Sequence, residues 1–547
     1  MNSKFSMAGR RGATRHGATR GLRRSWLAAC VAVLFVVLAA CSGGSDASDG
    51  KSDGGGDGDL DRSATLRWGA TAPPTTLDPQ LESNSGKRIW LWEIYDRLFL
   101  LDKDGNLQPG IAESGDISSD GLTITLKLRD DAKFHDGSPV NAAAVKYSLE
   151  RGQKLSGSIV APDLELISAI NVVDDSTVAL TLTSPAPYLL KVLATSPGVV
   201  INPASEGKDL ANGDEGLAGS GPYEVGSFEP NANLTLKRVE GDYWDSKAAN
   251  FATIEVKGYP DPNAAMNALQ TGEIDATLGR GEPAQLKQIA STGNLNLYSF
   301  PVSGTLSLFL RNTIKPLEDL RVREAIARGI DRKSLSENLF KDVCEYNPQA
   351  FIKGSQSRVE GQDPFPYDPK AAKALLAEAG YPNGFELPVM VVGGYAPAEN
   401  GVLVVQEDLA KIGIKVKVNQ ILETDQIDLW RSGSKPAMFT AASSQPDDVP
   451  YVQRLWFSVY GLAEKKGGKE IQAAIDAAVK PGLDEASAKK AYENMGTVAL
   501  KQGTLIPVCN LIASTMGAKD VVGLDSMPLN FLADAAGDPR YLGKRSE

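Results

Sequence analysis

The chain reads as a mixed α/β protein of open sheets flanked by helices, and three stretches carry that reading. "GLTITLKLRDDAKF" alternates Leu122, Ile124, Leu126 and Leu128 with Thr123, Thr125, Lys127 and Arg129, the period of two expected of a half-buried strand. "YDPKAAKALLAEAGYPNG" is a helix marked at both ends: Asp368 caps the first amides, Pro369 suits the first helical position and Gly380 takes the left-handed stop. "LAKIGIKVKV" is a helix end, a Gly413 stop, and a strand alternating Ile414, Val416 and Val418 with lysines. "NLTLKRV" and "ATIEVKGY", around Leu236 and Ile254, add two more alternating strands. Helix-to-strand units build sheets covered by helices. Such sheets bind ligands at strand carboxyl ends and in clefts between lobes.

The first forty residues are a targeting segment. They carry seven positive charges (Lys4, Arg10, Arg11, Arg15, Arg20, Arg23 and Arg24) and no acidic residue, and Trp26 to Ala40 is an unbroken apolar run of fifteen. As a helix that run is roughly 22 Å long, short of the ~30 Å hydrocarbon core, so it reads as an export signal and not as a span. Leu38-Ala39-Ala40-Cys41 resembles the lipobox of bacterial lipoproteins, in which the cysteine is acylated and cleavage leaves it as the new N-terminus; an ordinary signal with an incidental cysteine is the competing reading. Arg23-Arg24-Ser25-Trp26-Leu27 resembles a twin-arginine signal, and a general secretory signal fits equally. From Ser42 to Arg62, 17 of 21 residues are Gly, Ser or Asp. A segment so poor in apolar surface stays a flexible tether spanning roughly 25 Å. Its spaced aspartates (Asp53, Asp57, Asp59, Asp61) suit solvation better than calcium binding.

Losing those seven charges takes the net charge from −11 to −18. A body this acidic, without a basic stripe interleaved with aromatics, is no nucleic-acid binder. About 500 residues remain after cleavage, enough for two or three domains, and no later apolar run approaches membrane length. Besides Cys41 only Cys344 and Cys509 remain. In an oxidising compartment they form either one long-range disulfide, the favoured reading, or two buried thiols.

Catalytic chemistry is sparse. His135, in "KFHDGSP", is the only histidine after cleavage and reads as structural. No G-x-S-x-G elbow accompanies it. Ser432 to Lys435, "SGSK", fits S-x-x-K but lacks its K-T-G and S-D-N companions, so a Ser/Gly loop explains it better. Zinc-type His/Cys clusters and a phosphate-cradling G-x-x-x-x-G-K-[ST] loop are both missing from the sequence. The sequence therefore calls for no cofactor or metal, and enzyme is the weaker class.

"LQPGIAESGDISSDGLTITLKLRDDAKFHDGSPVNAAAVKYSLERG" is more specific than any of these patterns. It resembles the signature region of the extracytoplasmic solute-binding proteins that include the oligopeptide- and dipeptide-binding proteins. The matching residues are Pro109, Gly110, Ala112 to Ser114, Asp120, Gly121, Leu128, Arg129 and Lys133 to Gly137. Further blocks follow in family order: "TLDP" (76–79), "GSGPY" (219–223), "GDYW" (241–244), "ALQTGEIDA" (268–276), "PLEDLRVREAIARGIDR" (316–332) and "YDPKAAKALLAEAGYPNG" (367–384).

The resemblance implies a bilobed type II periplasmic-binding-protein fold with an extra third domain, its lobes joined by two crossover strands. The expected division is a signal peptide (1–40), a lipidated tether (41–63), a discontinuous first lobe (64–95, 218–300 and 515–547), an extra domain (96–217) and a second lobe (301–514). It implies a monomer, lipid-anchored through Cys41 on the extracytoplasmic face, that closes on a solute and delivers it to an ABC permease served by a separate ATPase. Peptide is the leading solute class, with oligosaccharides and other amphipathic solutes behind it and nickel chelates disfavoured by the single histidine. A peptide sensor or chaperone on the same scaffold, and a lipoprotein hydrolase or envelope-remodelling enzyme, are the alternatives.

Peptide binders of this family show "G-W-x-x-D", whose Asp pairs with the peptide's amino terminus. Here "AASSQPDDVPY" (441–451) puts Ala442 in the Trp place and Gln445 in the Asp place, and a neutral amide cannot supply that charge-assisted bond. Asp447 or Asp448 is then expected to compensate. The expected ligand cleft is lined by Gly221, Pro222 and Tyr223, by Arg311 and Asn312, and by Gln445, Asp447 and Asp448. The glycines let backbone approach closely and Tyr223 offers a ring face and a hydroxyl. The competing readings are that Gly221 and Pro222 only shape the crossover and that Arg311 pairs with a neighbouring carboxylate.

Overall fold

A computed structural model describes residues 60–546 except 83–84, 104, 213–218, 279–282, 342–343, 353–354, 394–395, 423–424, 444–446, 459–460, 462–466, 526 and 528–537. The targeting segment, Cys41 and the tether up to residue 59 lie outside the described residues, as does Gln445. Residues 60 and 61, expected in the tether, pair with the C-terminal segment. Leu60 bridges Arg545, and the Asp61 amide donates to the Lys544 carbonyl at 2.8 Å.

The chain starts in the first lobe with β1 (Thr65–Ala70) and leaves for the extra domain, which holds β2 (Phe99–Leu101), β3 (Leu107–Pro109), β4 (Ala112–Ile117), β5 (Thr123–Leu128), β6 (Ile167–Asp174) and β7 (Thr177–Leu182). Strands β4-β5-β7-β6 form its antiparallel sheet. The alternation read in β5 buries Ile124, Leu126 and Leu128 against Val145 and Leu149 of the Ala142–Lys154 helix. Back in the first lobe come β8 (Tyr223–Glu229), β9 (Asn233–Arg238), β10 (Thr253–Gly258) and β11 (Ala276–Leu278). The long β12 (Leu295–Leu310) crosses to the second lobe, which adds β13 (Cys344–Tyr346), β14 (Glu386–Val392), β15 (Lys415–Ile421) and β16 (Ala437–Ser443). The equally long β17 (Leu505–Ala518) crosses back, and the short pair β18 (Val521–Val522) and β19 (Gly543–Lys544) follows.

Both lobes share one sheet, β15-β14-β16-β12-β17-β11-β1-β10-β9-β8, with β13 paired to β17. The expected lobe boundaries at 300/301 and 514/515 fall inside β12 and β17, which run through uninterrupted. The two strands pair from Leu295↔Ala518 to Phe309↔Leu505, with register shifts between Pro301 and Thr305 and between Leu306 and Ser307. Extra residues at such bulges bend a strand and weaken its ladder locally, and Pro301 and Pro507 have no N–H to give it. The hinge is therefore built into the pairing. The 369–378 helix is capped by Asp368, which accepts from the Lys370 and Ala371 amides, and Gly380 and Gly413 take φ of 91°. Among the described residues no helix is long and apolar enough to cross a membrane.

The extra domain is fastened to the first lobe by buried ions. Arg97 pairs with Asp538, and Arg540 pairs with both Asp538 and Asp96, all almost fully buried. Asp96 also accepts from Tyr243 Oη (2.6 Å) and Trp244 Nε1 (2.9 Å), and the Arg97 guanidinium lies 4.2 Å over the Trp92 ring. Burial works to raise the Asp538 carboxyl, but Arg540 and Arg97 hold it down to about 2.

A disulfide joins Cys344 on β13 to Cys509 on β17, with Cα atoms 5.6 Å apart and a sequence separation of 165. It fastens a crossover strand to the second lobe beside the hinge bulge. Replacing both cysteines with alanine is expected to lower stability by ~2–4 kcal/mol, read as a lower urea midpoint. Reductant should do the same to the natural protein and nothing further to the variant.

Candidate ligand cleft

Strand polarity locates the cleft. In the first lobe β10 and β11 are both parallel to β1, and β11 runs antiparallel to β17. In the second lobe β14 is parallel to both β15 and β16, and β16 runs antiparallel to β12. Because β12 and β17 are themselves antiparallel, the two lobes' strands point at one another. The register agrees: Leu278 at the end of β11 pairs with Thr515, and Ser443 at the end of β16 pairs with Gly304. The carboxyl ends of both sets thus converge on the hinge from opposite sides, where open α/β sheets take their ligands.

On the first-lobe side, the stretch after β1 is held rigidly. The Thr75 amide and hydroxyl both donate to Glu82 (2.8 and 2.7 Å), and Arg151 of the extra domain pairs with Asp78 and donates to Gln80 Oε1 (2.6 Å). On the second-lobe side, the helical turn Asp448–Val452 follows β16. Its Tyr451 hydroxyl lies 3.4 Å from Thr305 Oγ1 at the hinge bulge, which sets the turn beside the cleft.

The expected lining residues are spread over three places. The Gly219–Tyr223 stretch is where the chain returns from the extra domain, and it runs against the outgoing segment: the Gly221 amide donates to the Ile94 carbonyl and the Tyr223 amide to the Glu93 carbonyl, each at 2.9 Å. A Cβ on Gly221 would stand 2.4 Å from the Glu93 carbonyl oxygen, so the crossing requires glycine. His135 is part of the same crossing. Its amide donates to the Gly219 carbonyl and its Nε2 to the Gly221 carbonyl (2.8 and 2.9 Å), and burial lowers its pKa. Pro222 is buried in the crossing, its carbonyl accepting from the Val239 amide.

Tyr223, expected to offer its ring and hydroxyl to a ligand, instead packs in the first-lobe core. Its hydroxyl donates to the Phe251 carbonyl (3.2 Å) and accepts from the Phe251 amide (3.3 Å). Arg311 lies seven residues beyond Gly304, about 23 Å along an extended strand. There its guanidinium stacks 4.4 Å over Trp430 and donates to the Trp430 carbonyl. Asn312 is buried next to it. Both therefore sit at the end of β12 remote from the hinge.

Asp447 and Asp448 do stand at the cleft side of the second lobe. Asp447 caps the turn, accepting from the Val449 amide (3.1 Å) and from Tyr492 Oη (3.2 Å). Asp448 accepts from Ser355 Oγ (2.6 Å) and the Ser357 amide (2.7 Å). Burial, and then the Asp448 charge, push the Asp447 carboxyl up to about 6 against the pull of Lys191. Burial raises Asp448 as well. Ser432 belongs to an exposed turn ahead of β16, donating to the Leu429 carbonyl. Among the described residues no group of three His, Cys, Asp or Glu is placed to hold a metal ion. Sequence reasoning passed over the contact of Tyr188 with Gln453 (3.3 Å); "PAPYLLKV" carries no motif that would have marked it.

Comparison with known proteins agrees with this architecture. Residues 106–463 match the profile of the bacterial extracellular solute-binding proteins, family 5 (middle). The glutathione-binding protein GsiB of Escherichia coli strain K12 is 31% identical over 351 residues, covering 63% of this chain and 67% of that protein. Among solved structures, the A. tumefaciens R10 protein AgaA in complex with agropinic acid superposes with a TM-score of 0.75 at 27% identity, over 88% of this chain and 99% of that one. DppA from Helicobacter pylori in complex with the peptide STSA has the same fold, with a TM-score of 0.75 at 22% identity over 88% and 98% of the two chains.

Asp447 gives a testable sign. Its folded-state pKa is raised from 3.8 to about 6, so its stability contribution is full below the unfolded value and is lost as pH rises through about 6. At pH 7 the buried carboxylate costs the folded state about 3 kcal/mol. Asp447→Asn keeps a cap that can accept from Val449 and Tyr492. Thermal unfolding should show it more stable than the natural protein at pH 7, with the difference vanishing below about pH 4.

Proposed function

Because the chain belongs to the bacterial extracellular solute-binding proteins of family 5, we propose that it is a lipid-anchored binding protein that captures peptides or similar amphipathic solutes in the interlobe cleft and passes them to an ABC permease. The observation that carries this reading is the convergence of both lobes' strand carboxyl ends on a bulged two-strand hinge. That geometry lets a solute be gripped from two sides and released when the hinge opens.

Cys41, at the end of an apolar run and ahead of a Gly/Ser/Asp tether, is the acylated residue. The tether keeps the body near a membrane partner and leaves it free to reorient. GsiB, at 31% identity, is named for glutathione, and AgaA, at 27%, was solved in complex with agropinic acid; the first of these favours a short peptide. The ligand lies against the hinge between Leu278 and Ser443, with Gln445 and the Asp447–Asp448 turn on its second-lobe side. Gly221, Pro222 and Tyr223 shape the crossing behind it, and Arg311 and Asn312 brace the far end of β12. His135, the one histidine among the described residues, is committed to the Gly219 and Gly221 carbonyls.

Native mass spectrometry of the exported protein should find a bound solute of peptide mass, and calorimetry with glutathione and a set of tri- to pentapeptides should find at least one ligand at about 1 μM or tighter, about 8 kcal/mol of binding. Saturation by an oligosaccharide with no response to any peptide would overturn the solute class. Separately, Cys41→Ser should abolish fatty-acid labelling and membrane retention; retention and labelling that persist would remove the anchor.

A further inference from the structure

The first-lobe wall of the cleft is shaped from outside the first lobe. The chain leaves the carboxyl end of β1 at Ala70, beside β11, whose own end at Leu278 meets the hinge. Residues 77–82 then run along the extra domain, and the alternate side chains Asp78, Gln80 and Glu82 are each 2% exposed or less. Among the described residues, every hydrogen bond that residues 77–80 make outside the 75–82 loop ends on the extra domain. The Leu77 amide donates to the Ala211 carbonyl and the Ile159 amide to the Gln80 carbonyl, each at 2.9 Å. Gln80 Nε2 donates to the Ser148 carbonyl at 2.9 Å, and Ser148 Oγ in turn accepts from the Ile201 amide at 2.8 Å.

Arg151, on the same Ala142–Lys154 helix, completes the arrangement. One guanidinium nitrogen donates to Gln80 Oε1 (2.6 Å) and to Asp78 Oδ1 (3.2 Å), and the other donates to Asp78 Oδ2. A planar fork of this kind fixes direction as well as charge. Gly152 lets the helix come close enough to do so: a Cβ there would stand 2.9 Å from Leu164 Cδ1 and 3.0 Å from Gln80 Nε2.

We propose that the extra domain is the template for the first-lobe wall of the cleft, with Arg151 as the positioning residue that holds residues 77–82 in their solute-ready course before a solute arrives. This rests on the interlobe cleft proposed above. A wall fixed in advance needs no ordering when the solute binds, so the grip loses no free energy to it. A lysine carries the charge but not the fork, and holds Asp78 or Gln80 but not both. The network of Arg97, Asp538, Arg540 and Asp96 serves the same arrangement, because it fixes the template against the lobe that it shapes.

Removing Arg151 alone strands a buried carboxylate and costs stability for that reason. The test variant therefore neutralises both partners, Arg151→Met with Asp78→Asn, and the asparagine can still accept from the Gln80 amide as Asp78 Oδ1 does at 2.9 Å. Arg151→Lys is the conservative variant. Lys154→Met, which removes an ammonium paired with Glu150 on the same helix, is the control. Hydrogen exchange on the exported protein without solute should be about tenfold faster over residues 77–82 in the double variant, less so in Arg151→Lys, and unchanged in β1 and in the control. Calorimetry with glutathione, or with any member of the tri- to pentapeptide set that binds the natural protein, should find the double variant about tenfold weaker at an unchanged urea midpoint. Exchange that stays slow in the double variant would overturn the template. So would faster exchange with affinity retained, or a lowered midpoint as the only effect, which is what a purely structural clamp produces. If no probe binds the natural protein, the proposed solute class fails, while the exchange result still decides whether Arg151 positions the wall.

Discussion

Everything functional in this protein depends on the antiparallel pairing of β12 with β17. A pair of strands that leaves one lobe and returns to it must run in opposite directions, and each organises a set of strands on its own side. The outcome is two half-sheets whose carboxyl ends face one another across a bulged ladder. Hydrogen bonds hold the lobes in register along most of the pair, while the interrupted stretch around Pro301 to Thr305 is where bending costs least. One pairing thus positions the cleft and supplies its hinge.

Against that compliant joint stands a rigid one. Buried ion pairs are costly to desolvate and contribute less to net stability than apolar packing of the same volume, yet removing one partner from such a pair is severe. Here Arg97, Arg540, Asp96 and Asp538 are surrounded by Tyr243, Trp244 and Trp92, which add hydrogen bonds to the network or cover the ions. The interaction is geometrically exacting, and it ties the extra domain to the first lobe. Motion is thereby left to the bulged β12–β17 pair.

Legibility in the sequence followed the range of each interaction. The strand at 123–128, the cap at Asp368 and the left-handed stops at Gly380 and Gly413 are set by neighbours within a few positions, and periodicity and cap chemistry reveal them. The family blocks located the crossover near "GSGPY" but not the duties of its residues. Gly221 reads as a point of close backbone approach, but the backbone that approaches is the carbonyl of Glu93, more than a hundred residues earlier. Tyr223 reads as an exposed aromatic, whereas its hydroxyl closes on Phe251. Arg311 finds Trp430 119 residues onward. Asp447 and Asp448 read as carboxylates offered to a ligand's ammonium, yet capping and serine contacts already occupy them. Nothing local distinguishes a charge held by the fold from one offered to a ligand.

The ion network also dictates an order of assembly. Arg540 and Asp538 meet Asp96 and Arg97 across sequence separations of 444 and 441 residues, and β17 supplies the neighbour that β11 pairs with on one side. The first lobe begins at residue 60 but cannot reach its native arrangement until residues near 540 have been made available. Contacts this distant in sequence make folding slow, and a domain completed last cannot lock while the chain is still emerging. The chain therefore stays pliable through synthesis and acquires its rigid half only once nearly all of it has been made.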